Sequence, residues 1–153
     1  MQGGPQPDSA RPPMTQGLHS AFSWPVRIYW EDTDASGVVY HASYLRFLER
    51  ARTEHLRALG IEQERLRTEN SVAFVVRDMA IDFVRPARLD DVLAVTVDRI
   101  ERRGASLVFR QQILRATDRS VLVEARVRAA CIDAASFRPR PIPEGLLVET
   151  HER

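Results

Sequence analysis

The feature that most constrains the fold is one long helical pattern followed by an almost unbroken series of strand-like segments. From Tyr40 to Gly60 the chain reads YHASYLRFLERARTEHLRALG. Leu45, Leu48, Arg52, Leu56 and Leu59 recur there at helical spacing, and Tyr44, Phe47 and Ala51 widen the same face. Ser43 is placed to cap its start and Gly60 to stop it, which predicts one helix of about five turns. A shorter helix follows through EQERLRTE. Everything after Ser71 favours strands: SVAFVVRDMAIDFV, DVLAVTVDRIERR, ASLVFRQQILRA and SVLVEARVRAACID, parted by RPARLDD, by Gly104 and by the hairpin-like TDR. Before the helix, WPVRIYWED alternates as a first strand, with Val26, Ile28 and Trp30 on one face. One helix covers only one sheet face, and meandering strands pair antiparallel. The expected architecture is α+β: a five-stranded antiparallel curved sheet wrapped around one long central helix.

A chain of 153 residues suits one domain with a real core. Residues 1–22 are rich in Pro, Gly, Gln and Ser without periodicity, so they read as a disordered extension, with the domain at 23–148 and a short tail at 149–153. The net charge of +1 gives no global attraction to nucleic acid. Cys131 is the single cysteine and forms no internal disulfide. No apolar run is long enough to span a bilayer, and the N-terminus lacks the apolar stretch of a signal peptide. These features point to the cytoplasm and leave peripheral membrane contact open.

For chemistry, the chain has no G-x-S-x-G elbow and no convincing Ser-His-Asp or Cys-His grouping, while Cys131 sits in an apolar alternation suited to a core residue. Carboxylates remain. Asp32 and Asp34 lie in DTDASG, a cluster that is turn-forming in its own right. In an extended segment the two would share a face. A metal held by Asp32, Asp34 and His41 finds little support, since no further ligands cluster with them.

The run VRIYWEDTDASGVVYHASYLRFLERARTEHL resembles the hot-dog thioesterases of the 4-hydroxybenzoyl-CoA thioesterase superfamily, in particular the Tol–Pal-associated acyl-CoA thioesterases of the YbgC type. The likeness continues through VAFVVRDMAIDFVRPARLDD, RRGASLVF and FRPRPIP, and departs from the pattern at Ala105, where relatives often carry Thr. The resemblance implies hydrolysis of an acyl-CoA thioester without a cofactor, with Asp34 as the catalytic carboxylate, either nucleophile or general base. It implies that the His41 backbone N–H, near the helix start, donates to the thioester oxygen, and that its imidazole orients water or the carboxylate. Tyr40 and Tyr44 would pack against the sheet or line the acyl slot, and Arg103 and Ser106, with Arg102 at the same turn, would meet CoA, while Arg85 and Arg88 flank a second turn in VRPARLDD. The family pairs subunits into a continuous sheet, which implies a homodimer or homotetramer. Acyl carrier protein is a second admissible acyl donor. Two other readings stay open: a scaffold or acyl-carrier-binding protein of the envelope Tol–Pal or phospholipid-synthesis machinery, and a hot-dog dehydratase, whose helix motif is not found here.

Overall fold

The computed structural model describes residues 22–146, so the N-terminal extension up to residue 21 and the tail from residue 147 lie outside the described residues. In chain order the elements are β1 (Phe22–Arg27), a 3-10 turn (Trp30–Asp32), α1 (Ser43–Ala58), α2 (Gln63–Asn70), β2 (Val72–Phe83), β3 (Val92–Val97), β4 (Arg99–Arg103), β5 (Ser106–Arg115) and β6 (Val121–Asp133). The first described strand opens at Phe22, which pairs with Val97.

All strands belong to one antiparallel sheet in the order β1-β3-β5-β6-β2, with β4 pairing β5 off this path. Among the described residues the sheet thus has six strands rather than the expected five. DVLAVTVDRIERR is split at Asp98, whose backbone N–H donates to Arg110 O at 2.8 Å. The two halves serve different partners: β3 lies between β1 and β5, and β4 extends the pairing of β5 alone. A second departure concerns topology. β2 does not continue the meander but crosses to the far edge to pair with β6 over the full length of both strands. Helix α1 makes this crossing possible by carrying the chain over the sheet between β1 and β2.

The first strand is also shorter than the alternation predicts. It ends at Arg27, and Trp30 sits in the 3-10 turn, 78 % exposed rather than on the inner face with Val26 and Ile28. A local hydrogen bond diverts the chain: the buried Asp32 carboxylate accepts the Tyr29 N–H at 2.9 Å, closing a turn that strand pairing cannot match. Ser43 likewise does not cap α1. Ala42 holds the cap position, and Ser43 is the first helical residue, its buried hydroxyl donating to Asp32 O at 3.4 Å. Gly60 does end the helix, in the left-handed conformation (φ +85°) that suits glycine.

The buried face of α1 carries Tyr44, Phe47, Leu48, Ala51 and Leu56, and the helix lies against β1, β3 and β5. Phe47 and Leu48 are fully buried, and each such side chain contributes roughly 1.5–3 kcal/mol over its exposed state. The facing strands supply Leu93, Val95, Leu107, Phe109, Ile113, Val123 and Val127. Three polar residues enter this layer, Arg52, Gln111 and His55. Arg52 Nη1 donates to Gln111 Oε1 at 3.0 Å, and His55 stacks on Phe22 with ring centroids 4.8 Å apart.

β2 is different. It is an edge strand twelve residues long with a bulge at Arg77, and α2, not α1, rests on it. Met79, Ile81 and Phe83 pair with the inward-facing Val127, Ala125 and Val123, so they face the concave side of the sheet. Phe83 is nevertheless 52 % exposed there, and Val76 49 %. Among the described residues, nothing covers this apolar strip on the concave side beside β2.

Candidate active site

The site grows out of the hairpin that follows the 3-10 turn. Thr33 and Val39 form an antiparallel bridge, Asp34 N–H donates to Val38 O at 2.9 Å, and Gly37 N–H returns to Asp34 O at 3.0 Å. Gly37 takes φ +81°, the left-handed position that closes a short hairpin. The returning arm docks on the segment after β2: Val39 N–H donates to Ala87 O at 2.9 Å, and Val38 bridges Arg88. It then runs directly into α1 through Tyr40, His41 and Ala42. Chain continuity therefore sets a hairpin tip carrying Asp34 beside a helix N-terminus.

Asp34 is exposed, and its Oδ1 accepts both the Ser36 backbone N–H at 2.8 Å and the Ser36 hydroxyl. These two bonds, the hydroxyl first, hold its carboxyl below the usual carboxylate range, with the nearby His41 adding to the effect against a small opposing desolvation. Asp34 is therefore ionised at neutral pH. Asp32 does not converge with it. Its carboxylate is turned to the Tyr29 N–H and to Arg46, whose Nη2 lies 3.5 Å away, so Asp32 builds the turn. Glu31 points to solvent.

Four aromatic rings surround the helix start. Tyr40 and His41 have centroids 4.6 Å apart, His41 meets Phe83 edge-on at 6.2 Å, and Tyr44 lies 5.8 Å from Phe83. Tyr44 is buried, and its hydroxyl oxygen accepts the Ala87 N–H at 3.0 Å. Burial pushes its phenol above the ordinary value, so it stays protonated. The His41 and Ala42 backbone N–H groups, just ahead of the first helical residue, have no backbone acceptor among the described residues. Such amides lie at the positive end of the helix dipole and suit an incoming oxygen.

The structure thus brings Asp34, Tyr40, His41 and Tyr44 together but leaves Arg103 and Ser106 elsewhere. Ser106 opens β5, paired with Ala130, whereas the site end of the sheet lies near Ile113, Val123 and Phe83. Seven strand steps put the two ends on the order of 20 Å apart. Arg103 is exposed and ion-paired with Glu101 at 2.8 Å, and Ser106 is buried, its hydroxyl accepting Arg128 Nε at 3.4 Å. Phe83 and Ser36 were not singled out from sequence. The D-x-S spacing of a side-chain-capped turn could have flagged Ser36. Phe83 is visible only once β2 is known to end beside α1.

The chain as a whole is similar to known proteins. Residues 28–149 match the family model of the thioesterase-like superfamily. The chain is 50 % identical over 128 residues to an acyl-CoA thioester hydrolase, YbgC, of Escherichia coli O6:H1, an alignment covering 84 % of this chain and 94 % of that protein. It is 46 % identical over 134 residues to the acyl-CoA thioesterase YbgC of Haemophilus influenzae, covering 88 % and 97 %. A probable thioesterase from Bartonella henselae superimposes with a TM-score of 0.74 at 42 % identity, covering 81 % of this chain and all of that one. A 1,4-dihydroxy-2-naphthoyl-CoA thioesterase from Synechocystis shares the fold, with a TM-score of 0.77 at 23 % identity over 85 % and 95 % of the two chains. With the family model spanning residues 28–149 and relatives about half identical over nearly their whole length, the chain belongs to the thioesterase-like superfamily of hot-dog enzymes.

Proposed function

We propose that the protein hydrolyses acyl-CoA thioesters at the Asp34 hairpin. The observation that carries this reading is the juxtaposition of an ionised carboxylate with backbone N–H groups at a helix start, inside an aromatic surround. Asp34 Oδ1 is occupied by Ser36, which leaves Oδ2 free. Oδ2 either attacks the acyl carbon to form an anhydride or removes a proton from water that attacks it. On both routes the carbonyl oxygen takes up negative charge against the helix-start amides, the C–S bond breaks, and CoA leaves as thiolate and is protonated. Water supplies the oxygen of the free acid. Loss of one oxyanion donor typically costs about 100- to 1000-fold, so amides of this kind are a major part of the catalysis. The Tyr40, His41, Tyr44 and Phe83 rings form the wall against which the acyl group lies.

Incubation of the purified protein with a panel of acyl-CoA esters is expected to release free thiol continuously, read with a thiol-reactive dye. Absence of turnover on every ester, together with capture of acyl carrier protein or lipid-synthesis enzymes, would instead favour the scaffold reading.

The reading also calls for a second copy. Asp34 and half of Phe83 stand open to solvent, whereas thioester chemistry needs a walled cleft. Among the described residues the long outer edge of β2 has no strand partner, and it lies next to that opening with its apolar strip uncovered. Antiparallel self-pairing of β2 would continue the sheet and cover the strip. It would also carry the partner's Val72 end, which is the end of the 103–106 turn, toward this chain's Asp34. That arrangement gives Arg103 and Ser106 a route to CoA that they lack within one subunit. Size-exclusion chromatography with light scattering is expected to give a dimer or a multiple of it, and a purely monomeric active enzyme would refute the shared-site arrangement.

A further inference from the structure

We propose that Ser36 is a positioning residue for the reaction, using its side-chain hydroxyl and its backbone N–H to secure Asp34 Oδ1 and dedicate Oδ2 to the thioester. The inference rests on Asp34 being the reacting carboxylate, and it adds a specific division of labour between the two carboxylate oxygens. Ser36 lies two residues after Asp34 in the turn closed by Gly37, so both of its donors reach the same oxygen. No other side chain donates to Asp34 among the described residues. A carboxylate on a solvent-exposed hairpin tip would otherwise rotate freely about its last bond. Two donors on one oxygen fix the carboxylate plane and leave the second oxygen without a donor among the described residues.

A residue that merely shapes the turn would make the same backbone bond, because an aspartate accepting the N–H two residues on is a common turn device. The hydroxyl separates the two roles. It donates charge-assisted hydrogen bonding to the ionised form of Asp34 and has no part in the backbone path of the turn. Its removal should therefore act on the reaction and its pH dependence more than on stability.

The test compares Ser36→Ala and Ser36→Thr with wild type and with Asp34→Asn, by pH profiles of kcat/KM on one acyl-CoA and by thermal unfolding. Ser36→Ala keeps the N–H and loses the hydroxyl. It is expected to lower kcat/KM by about 3- to 10-fold and to move the acid limb of the profile to higher pH, since protonation of Asp34 becomes easier. Ser36→Thr retains a hydroxyl and is expected to recover most of both. An unmoved acid limb and unchanged kcat in Ser36→Ala, with Asp34→Asn inactive, would overturn the role of Ser36 while leaving Asp34 in place. Full turnover by Asp34→Asn would instead remove the reading beneath it.

Discussion

Asp34→Asn is expected to fold like the wild type and to lose roughly 1000-fold or more in kcat on acyl-CoA. The fold should survive because asparagine keeps an oxygen at the Oδ1 position. That oxygen can still accept the Ser36 N–H and hydroxyl, so the turn that carries residue 34 keeps its closure. Position 34 is exposed and makes no core contact, and substitutions of that kind stay within about 0.5 kcal/mol of wild type. What changes is the other atom. An amide nitrogen in place of Oδ2 neither attacks a thioester carbonyl nor accepts a proton from water at neutral pH.

The same geometry sets the wild-type pH dependence. The reactive form of Asp34 is the anion, which Ser36 holds below the usual carboxylate range, the hydroxyl contributing most. Activity governed by Asp34 should therefore hold level through neutral pH and fall only on the acid side, as the carboxylate takes up its proton. A circular dichroism spectrum and melting temperature matching wild type, combined with the kinetic loss, would isolate the carboxylate. Turnover within tenfold of wild type in a folded Asp34→Asn variant would contradict the assignment.

The parts of this molecule legible from sequence are those governed by local period. The helical spacing of Leu48, Arg52 and Leu56 marks the buried face of α1, and the breakers RPARLDD, Gly104 and TDR fall between strands. What escapes is decided by competition between local and distant bonds. WPVRIYWED alternates as well as a strand should, yet the Asp32 carboxylate takes the Tyr29 N–H and turns the chain. The split at Asp98 has no sequence mark, because residues on both sides alternate normally and only the pairing partner changes. The β2–β6 pairing joins segments some fifty residues apart, and nothing in either segment names the other.

The site divides in the same way. DTDASG followed by VVYH places a turn against a helix start, so Asp34, Tyr40, His41 and Tyr44 converge through chain continuity alone. Phe83 arrives from the end of β2 and could not be foreseen without the topology. Arg103 and Ser106 belong to a recognisable block of residues, but within one subunit they occupy the opposite end of the sheet. Sequence motifs report which residues a family keeps together in function. They do not report where the sheet carries each one.

The largest stability effect is expected at the polar contact inside the core. Arg52 and Gln111 are both buried, at 8 % and 2 % exposure, in a layer otherwise made of Phe47, Leu48, Phe109 and Ile113. Gln111 Oε1 accepts from Arg52, while its Nε2 donates to Leu48 O at 3.1 Å and Thr96 O at 3.2 Å. One amide thus ties α1 to both β3 and β5. Burial lowers the Arg52 guanidinium from its ordinary value, yet arginine keeps its charge in proteins, so the cation depends on its acceptor, on the nearby Glu49 charge and on the Phe109 ring 5.8 Å away. Gln111→Leu fills similar volume but strands that cation, and it is expected to cost about 3 kcal/mol. For a domain of this size that corresponds to a melting temperature lower by roughly 10 °C at equal protein concentration. Adding Arg52→Met removes the stranded charge along with its lost partner. The double variant should therefore recover part of the loss, the remainder being the Nε2 bonds to Leu48 O and Thr96 O that both Gln111→Leu variants lack. Denaturant unfolding of the two single variants and the double variant measures the coupling directly. If Gln111→Leu melts with wild type, or if the two changes simply add, then the contact does not hold the helix to the sheet.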